Sequence, residues 1–281
     1  LFSQELEPRS YSVIPKDLNG LVLGYSYSNG AIITEGTSPL NDFNVISHAV
    51  VVGGLRSFGL FGKLARVQAS IPFVSMSGDV KVNDRDTSGS RTGLADANFR
   101  IGINLFGSPA MSPKEFFRFK EEAVLGTSLV VSIPIGQYDK TKLINLGSNR
   151  WGFKPEIGFS YGYKNFYFET FTGVWFFTAN NEYYKGTTLK RDPIFSLQAH
   201  TLYIFPSKLW IGLDLTYFSG GKSQINDVYK NDFMENTRFG GVIGYPINSN
   251  HSLKFQVHTG INTAIGTNYT ILTLAYQYIW F

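Results

Sequence analysis

Ser160 lies in GFSYG, residues 158–162, and so occupies the nucleophile position of a G-x-S-x-G pattern. Joined by His200 as base and Asp214 as the acid that orients it, it would make a hydrolase. That pattern exposes its serine only on a sharp turn from strand to helix. Here an unbroken alternation runs through WGFKPEIGFSYGY, with Trp151, Phe153, Ile157, Phe159, Tyr161 and Tyr163 on one face and Lys154, Glu156, Gly158, Ser160 and Gly162 on the other. A serine in mid-strand reads as part of a wall. The four histidines, His48, His200, His251 and His258, show no H-E-x-x-H spacing, and the carboxylates form no calcium loop. No catalytic residue, metal or cofactor is therefore expected.

The elements that carry these polar residues are strands. SLKFQVHTGIN places Leu253, Phe255, Val257, Thr259 and Ile261 opposite Lys254, Gln256, His258, Gly260 and Asn262, and LWIGLDLTY and ANFRIGINL repeat the pattern. Such two-faced strands suit either a sandwich, with the apolar face on a second sheet, or a barrel that turns it to lipid. Aromatic residues reach 16%, with 24 Phe and 16 Tyr, yet no apolar run approaches the roughly 18 residues of a membrane helix. Cysteine is absent, which excludes disulfides and thiolate metal sites and suits export. The net charge of +4 is spread without a basic block, which argues against nucleic acid as a partner. No export signal is visible at Leu1, as a mature chain would show.

About twelve segments alternate, each near the roughly 9–11 residues that cross a bilayer at a tilt. They fall near 20–33, 44–57, 61–76, 93–105, 121–135, 150–163, 166–179, 194–205, 208–219, 236–247, 251–264 and 269–281. Long connections (34–43, 78–92, 136–150, 180–193 and 220–235) alternate with short ones at Ser57 to Leu60, Lys164-Asn165, Pro206-Ser207 and Asn248 to Asn250. Two break the rule: Gly266 to Asn268 is short, and the turn side carries GSPAMSPKEFFRFKEE. There Ser112, Pro113 and Glu115 form a capping box, so a short helix is expected over 113–121, with Phe116, Phe117 and Phe119 on the membrane rim or under the barrel mouth.

The expected fold is all-β: a closed antiparallel transmembrane β-barrel over 20–281, with a short periplasmic helix and strand 269–281 closing on the first strand. An even strand number puts both termini on the periplasmic side. Residues 1–19, with Pro8 and Pro15, then form an irregular periplasmic segment or a plug in the lumen. With apolar faces on lipid, the lumen is expected to be lined by Arg66, Gln68, Asp96, Asn98, Arg100, Asn104, Glu122, Lys154, Glu156, Glu169, Gln198, His200, Asp214, Arg238, Lys254, Gln256, His258 and Gln277. Phe171, Trp175 and Trp210 share that face. So many charges need partners or water, since unpaired buried charge costs several kcal/mol. Twelve strands fall between barrels filled by side chains and open porins, which predicts a narrow, partly obstructed path.

LEPRSYS, SIPIGQYDKTKLINLGSNRWGFKPEIGFSYGY, RDPIFSLQAHTLYIF and the closing LAYQYIW resemble the outer-membrane channel family associated with the meta-pathway of phenol degradation. The similarity runs over nearly the whole chain and is most specific at NRWGFKPE. It implies a monomeric barrel of about twelve strands in Gram-negative bacteria, associated with uptake of small, often hydrophobic or aromatic molecules; the expected partners of such a barrel are outer-membrane lipid and lipopolysaccharide. The last strand, with Leu272, Leu274, Tyr276, Tyr278 and Trp280 on one face, also resembles the signal read by the barrel-assembly machinery, and Phe281 falls out of step. The reading is a passive channel without cofactor. The alternatives are an outer-membrane lipid hydrolase using Ser160 and His200, and a structural or adhesive barrel with a solid lumen.

Overall fold

The computed structural model describes residues 8–34, 40–82 and 85–281. The chain begins with three long strands, β1 (Asn19–Ile33), β2 (Leu40–Leu60) and β3 (Lys63–Val82). A fourth barrel strand follows in two pieces, β4 (Arg85–Leu94) and β5 (Ala97–Phe106), both paired to β3. After helix α1 (Pro113–Phe116) come β6 (Ala123–Ile133), β7 (Gly152–Tyr163) and β8 (Phe166–Phe177). An excursion of β9 (Asn180–Tyr183) and β10 (Thr187–Arg191) precedes β11 (Ile194–Ile204) and β12 (Trp210–Gly220). A second excursion, β13 (Ser223–Ile225) and β14 (Val228–Tyr229), leads to β15 (Met234–Pro246), β16 (His251–Thr263) and β17 (Gly266–Trp280).

Twelve antiparallel strands close on themselves. The seam pairs β1 with β17 along its full length, from Asn19 opposite Trp280 to Ile33 opposite Gly266. Closure joins the first barrel strand to the last, which is what hydrocarbon demands of backbone N–H and C=O groups. The apolar face of each strand points out: Leu21, Leu23, Val52, Ile157, Leu213, Leu215, Phe255 and Leu274 are exposed, whereas intervening Gly20, Glu156, Asp214 and Gln256 turn inward and are buried. Aromatics gather where the outward band ends. At the seam, Trp280 stacks on Tyr278 and Tyr278 on His251. Phe281 lies beyond β17 and is exposed.

Several connections differ from the sequence expectation. The turn placed at Ser57 to Leu60 lies at Phe61-Gly62, both with positive φ, because Ser57 and Gly59 continue the ladder with β3. The loop expected over 78–92 is mostly strand: β3 and β4 continue as a hairpin rich in serine, threonine, glycine and charged residues, where pairing persists with little apolar contrast. The expected loops 180–193 and 220–235 meet as a four-stranded sheet, β14-β13-β10-β9. The short far connection is Ala264-Ile265. The helix keeps its capping box, Ser112 with Glu115, but covers one turn and not 113–121. Phe116 and Phe119 pack under the mouth, while Phe117 is exposed.

The outward face predicts its own test. Leu215→Arg, at the centre of β12, should cost about 2–4 kcal/mol if that face meets hydrocarbon. Urea-dependent folding into lipid vesicles measures it, and an unchanged midpoint would remove this face from the membrane.

Candidate functional site

Residues 8–18 enter the barrel from the end where the strands begin and finish. Arg66 donates through Nη1 to the Ser10 carbonyl at 2.8 Å and through Nη2 to that of Ser12 at 2.8 Å. Asn104 Nδ2 donates to the Tyr11 carbonyl at 3.0 Å, and the Arg9 amide to Glu169 Oε2 at 2.7 Å. The insertion between β5 and β6 supports the segment from below, with the Lys16 amide donating to the Met111 carbonyl at 2.8 Å. Ser57 Oγ donates to the Pro15 carbonyl at 2.7 Å and accepts from the Leu18 amide at 3.0 Å.

Tyr11 is the anchor. Its ring lies over Gly126 and Gly158, which face each other across β6 and β7; a Cβ on either would fall within 2.2 Å of a ring carbon. Only glycine leaves that space. Phe171 meets the ring edge-on at 5.1 Å, and Val13, Met111 and Val124 complete an apolar cluster. The hydroxyl donates to Glu156 Oε1 at 3.0 Å and lies 2.9 Å from Ser128 Oγ. Glu156 also takes Arg100 at 2.6 Å and Lys154 at 2.8 Å, all three nearly solvent-free. Two cations and one carboxylate thus form a buried knot that the Tyr11 hydroxyl completes.

A transverse row of inward residues crosses the opposite wall through the register Ser160, Glu169, His200, Asp214, Gly240 and His258. His200 Nδ1 lies 2.6 Å from Asp214 Oδ1, and His258 Nε2 lies 3.3 Å from Asp214 Oδ2. Gly240 makes the second contact possible, because a Cβ there would meet the His258 ring at 1.8 Å. Ser160, His200 and Asp214 therefore share one line. The serine hydroxyl donates to Glu169, at 3.4 Å, and β8 separates it from the imidazole. Two strand spacings, about 10 Å, lie between nucleophile and base, too far for the proton transfer that would activate a serine.

At the far end the β6–β7 connection folds inward. Asp96, in the gap between β4 and β5, accepts the Gly136 amide at 3.0 Å and the Ser148 amide at 2.8 Å, one on each carboxylate oxygen. Leu146 and Ile144 then pack on Phe43, Val45, Val74, Met76 and Tyr269 inside the wall. Asn180 Nδ2 donates to the Tyr138 hydroxyl at 2.9 Å and to the Ser148 carbonyl at 3.2 Å, tying the loop to β9. Burial and the neighbouring Arg191 pull the Arg150 guanidinium down to about 9, with its charge over the Phe177 ring at 4.6 Å. Arg238 donates to the carbonyls of Tyr269 and Thr267, and Asn236 clasps the 264–265 turn.

Between the N-terminal segment and the wall of β1, β2, β3, β16 and β17 remains a cavity of about 480 Å³. Gln68, Asn98, Arg66, Arg100, Lys254 and Gln277 line it. Gln277 accepts from Ser252 at 3.2 Å. Lys154, Glu156, Glu169, Gln198, His200, Asp214, Arg238, Gln256 and His258 are buried on the inner face. Glu122 differs from these: its carbonyl accepts the Gly162 amide at 2.6 Å at the very end of the β6–β7 pairing, and its side chain is exposed there, while Glu121 turns in beside Val13. Strand parity missed Tyr11, Ser57 and Ser128. The signal for Tyr11 was a lone aromatic between Pro8 and Pro15, matched by two glycines that pair across neighbouring strands.

A closed twelve-stranded wall, apolar outside and charged within, defines a transmembrane β-barrel of the outer-membrane type. Residues 28–277 match the family described as "Putative MetA-pathway of phenol degradation", and the chain belongs to that family. An outer-membrane channel from Pseudomonas putida F1 has the same fold, with a TM-score of 0.83 at 18% identity over 98% of this chain and 100% of that one. The β-domain of the Bordetella autotransporter BrkA (TM-score 0.55, 11% identity, 94% and 100% covered) and the NanC porin (0.53, 11%, 92% and 98%) are more distant. No curated protein matches the chain in sequence.

Glu156→Ala would leave Arg100 and Lys154 buried against each other, at a cost of about 3–5 kcal/mol. The urea midpoint in vesicles reads this directly; a loss under about 1 kcal/mol would mean that water already serves these charges. A second expectation concerns the inward loop. The Asp139 carboxyl is held below the usual carboxylate range by the Thr141 hydroxyl and amide. Its support is complete above that range and lost as the pH falls through its own depressed value. Protection factors at 140–145, with the intrinsic slowing of amide exchange in acid divided out, should fall as the pH drops, and Asp139→Asn should abolish that fall.

Proposed function

We propose that this protein is a passive outer-membrane channel for small molecules, hydrophobic or aromatic ones among them, working as a monomer with both termini in the periplasm. The observation that carries the reading is the cavity of about 480 Å³ inside the barrel, framed by polar residues and by Trp210, with the N-terminal segment on one side. Space, water-compatible lining and a surrounding apolar band are what a diffusive path across a membrane needs. The family description, with its reference to phenol degradation, supports aromatic solutes. The long connections then face outward from the cell, and the alternating apolar face of β17 offers the barrel-assembly machinery its recognition strand. Lipid and lipopolysaccharide meet the outer band.

The N-terminal segment and the loop stapled by Asp96 narrow the two ends, so selectivity arises from width and charge layout. Purified protein in planar bilayers should show small discrete conductance steps. Asp96→Ala, which frees both loop amides, should raise the step size several-fold. Folded protein that neither conducts nor swells solute-loaded liposomes, with Asp96→Ala equally silent, would leave a structural barrel as the better account.

A further inference from the structure

We infer that the tip of the β2–β3 hairpin and the insertion after β5 form a foot that lies in a phospholipid surface, its phenyl rings at the headgroup boundary and its cations at the phosphates. The inference goes beyond the channel reading and takes from it only the periplasmic side of the termini, which makes this leaflet phospholipid.

The foot is built as one piece. β2 and β3 stay paired as far as Leu60 opposite Lys63, past Arg56, where the pairing with β1 stops at Asn19. At the tip, Phe61 has a φ of 51° and is 90% exposed. The insertion is laced to that tip, because the Leu64 amide donates to the Ser108 carbonyl at 3.1 Å and the Ala110 amide to that of Gly62 at 3.1 Å. Gly107, with a φ of 75°, makes the bend that starts the insertion, since a Cβ there would overlap the Ala123 carbonyl oxygen. The capping box then sets α1 so that Phe116 and Phe119 go under the mouth. Phe117 is left outside, 85% exposed, with its ring 6.0 Å from that of Phe116.

The fold thus leaves Phe61, Phe106 and Phe117 largely uncovered among the described residues. A hairpin tip and a one-turn helix are projections, suited to entering a soft surface. That surface is continuous with the outer band: Leu60 and Leu105, both exposed, end the outward series of β2 and β5, and Phe106 follows directly. Along the same two stretches stand Lys63, Lys114, Arg118 and Lys120, all exposed. Aromatic rings interleaved with cations are what a headgroup layer takes in, the rings at the acyl boundary and the cations at the phosphates. Glu115, the carboxylate within α1, is turned back on Ser112 and held there by its amide and hydroxyl.

The chain has no cysteine, so a nitroxide on a single introduced one reports one position. Labels at Phe61→Cys, at Phe117→Cys and, as reference, at Ser249→Cys in the exposed turn between β15 and β16 are compared by power saturation. The sample is the full chain folded into vesicles of phosphatidylcholine and phosphatidylglycerol, with its heat-modifiable mobility kept. Both foot labels should meet a water-borne nickel chelate several-fold less than the reference does, and lipid-borne oxygen more. Lys114→Glu with Arg118→Glu should restore nickel contact at position 61 by lifting the foot off the phosphates. Either foot label as open to nickel as the reference overturns the inference and leaves the rings to a protein partner. So does protection at 61 that the two charge reversals leave untouched. Protected labels on a barrel that does not conduct sink the channel and keep the foot, and water-exposed labels on a conducting barrel do the reverse.

Discussion

Everything in this molecule depends on the seam between β1 and β17. Hydrocarbon offers no partner for an orphaned amide, so a sheet that crosses a membrane must return to its own first strand. Here the return is complete along β1, Leu21 opposite Tyr278 and Leu23 opposite Tyr276, which keeps apolar side chains in step on one surface across the join. Register at the seam fixes parity everywhere else, because a slip of one residue would turn every wall residue over.

Once parity is fixed, the inside inherits a problem opposite to that of the outside. Charged residues that would be solvated on an ordinary surface are enclosed, and each must find a partner. Two devices meet that need. Carboxylates serve as hubs, Glu156 for two cations and a phenol, Asp214 for two imidazoles. Glycines supply the room, Gly240 for His258 and the Gly126–Gly158 pair for Tyr11. A glycine on the inner face of a strand is here a mould for the side chain lying over it.

The barrel was legible in the sequence because its signal is local. Alternation in SLKFQVHTGIN or LAYQYIW needs only neighbours two residues apart, and the ladder that sets Lys254 against Ala275 and Phe255 against Leu274 keeps the same two-residue rhythm. Trouble came where local signals carry two meanings. SFGL has the composition of a turn, but Ser57 is polar because it holds Pro15 and Leu18. Glu122 stands on the last rung of its ladder, where the side chain is exposed although that of Val124 two residues on is buried. The β3–β4 hairpin is polar along both of its strands, so alternation gives no sign of it although the ladder continues. The Tyr11 socket was illegible for another reason: its parts lie more than a hundred residues apart, and nothing in the segment around Tyr11 announces which strands will receive it.

The N-terminal segment has a mechanical consequence. A ring of hydrogen-bonded strands resists stretching along its ladders but flattens easily, since flattening changes only the angles between neighbours. From Leu18, fastened to Ser57 on β2, the segment reaches across to Glu156 and Glu169 on β7 and β8. It is a spoke joining two separated arcs of the hoop. The cross-section that a solute meets is then set by the length of that spoke as much as by the number of strands.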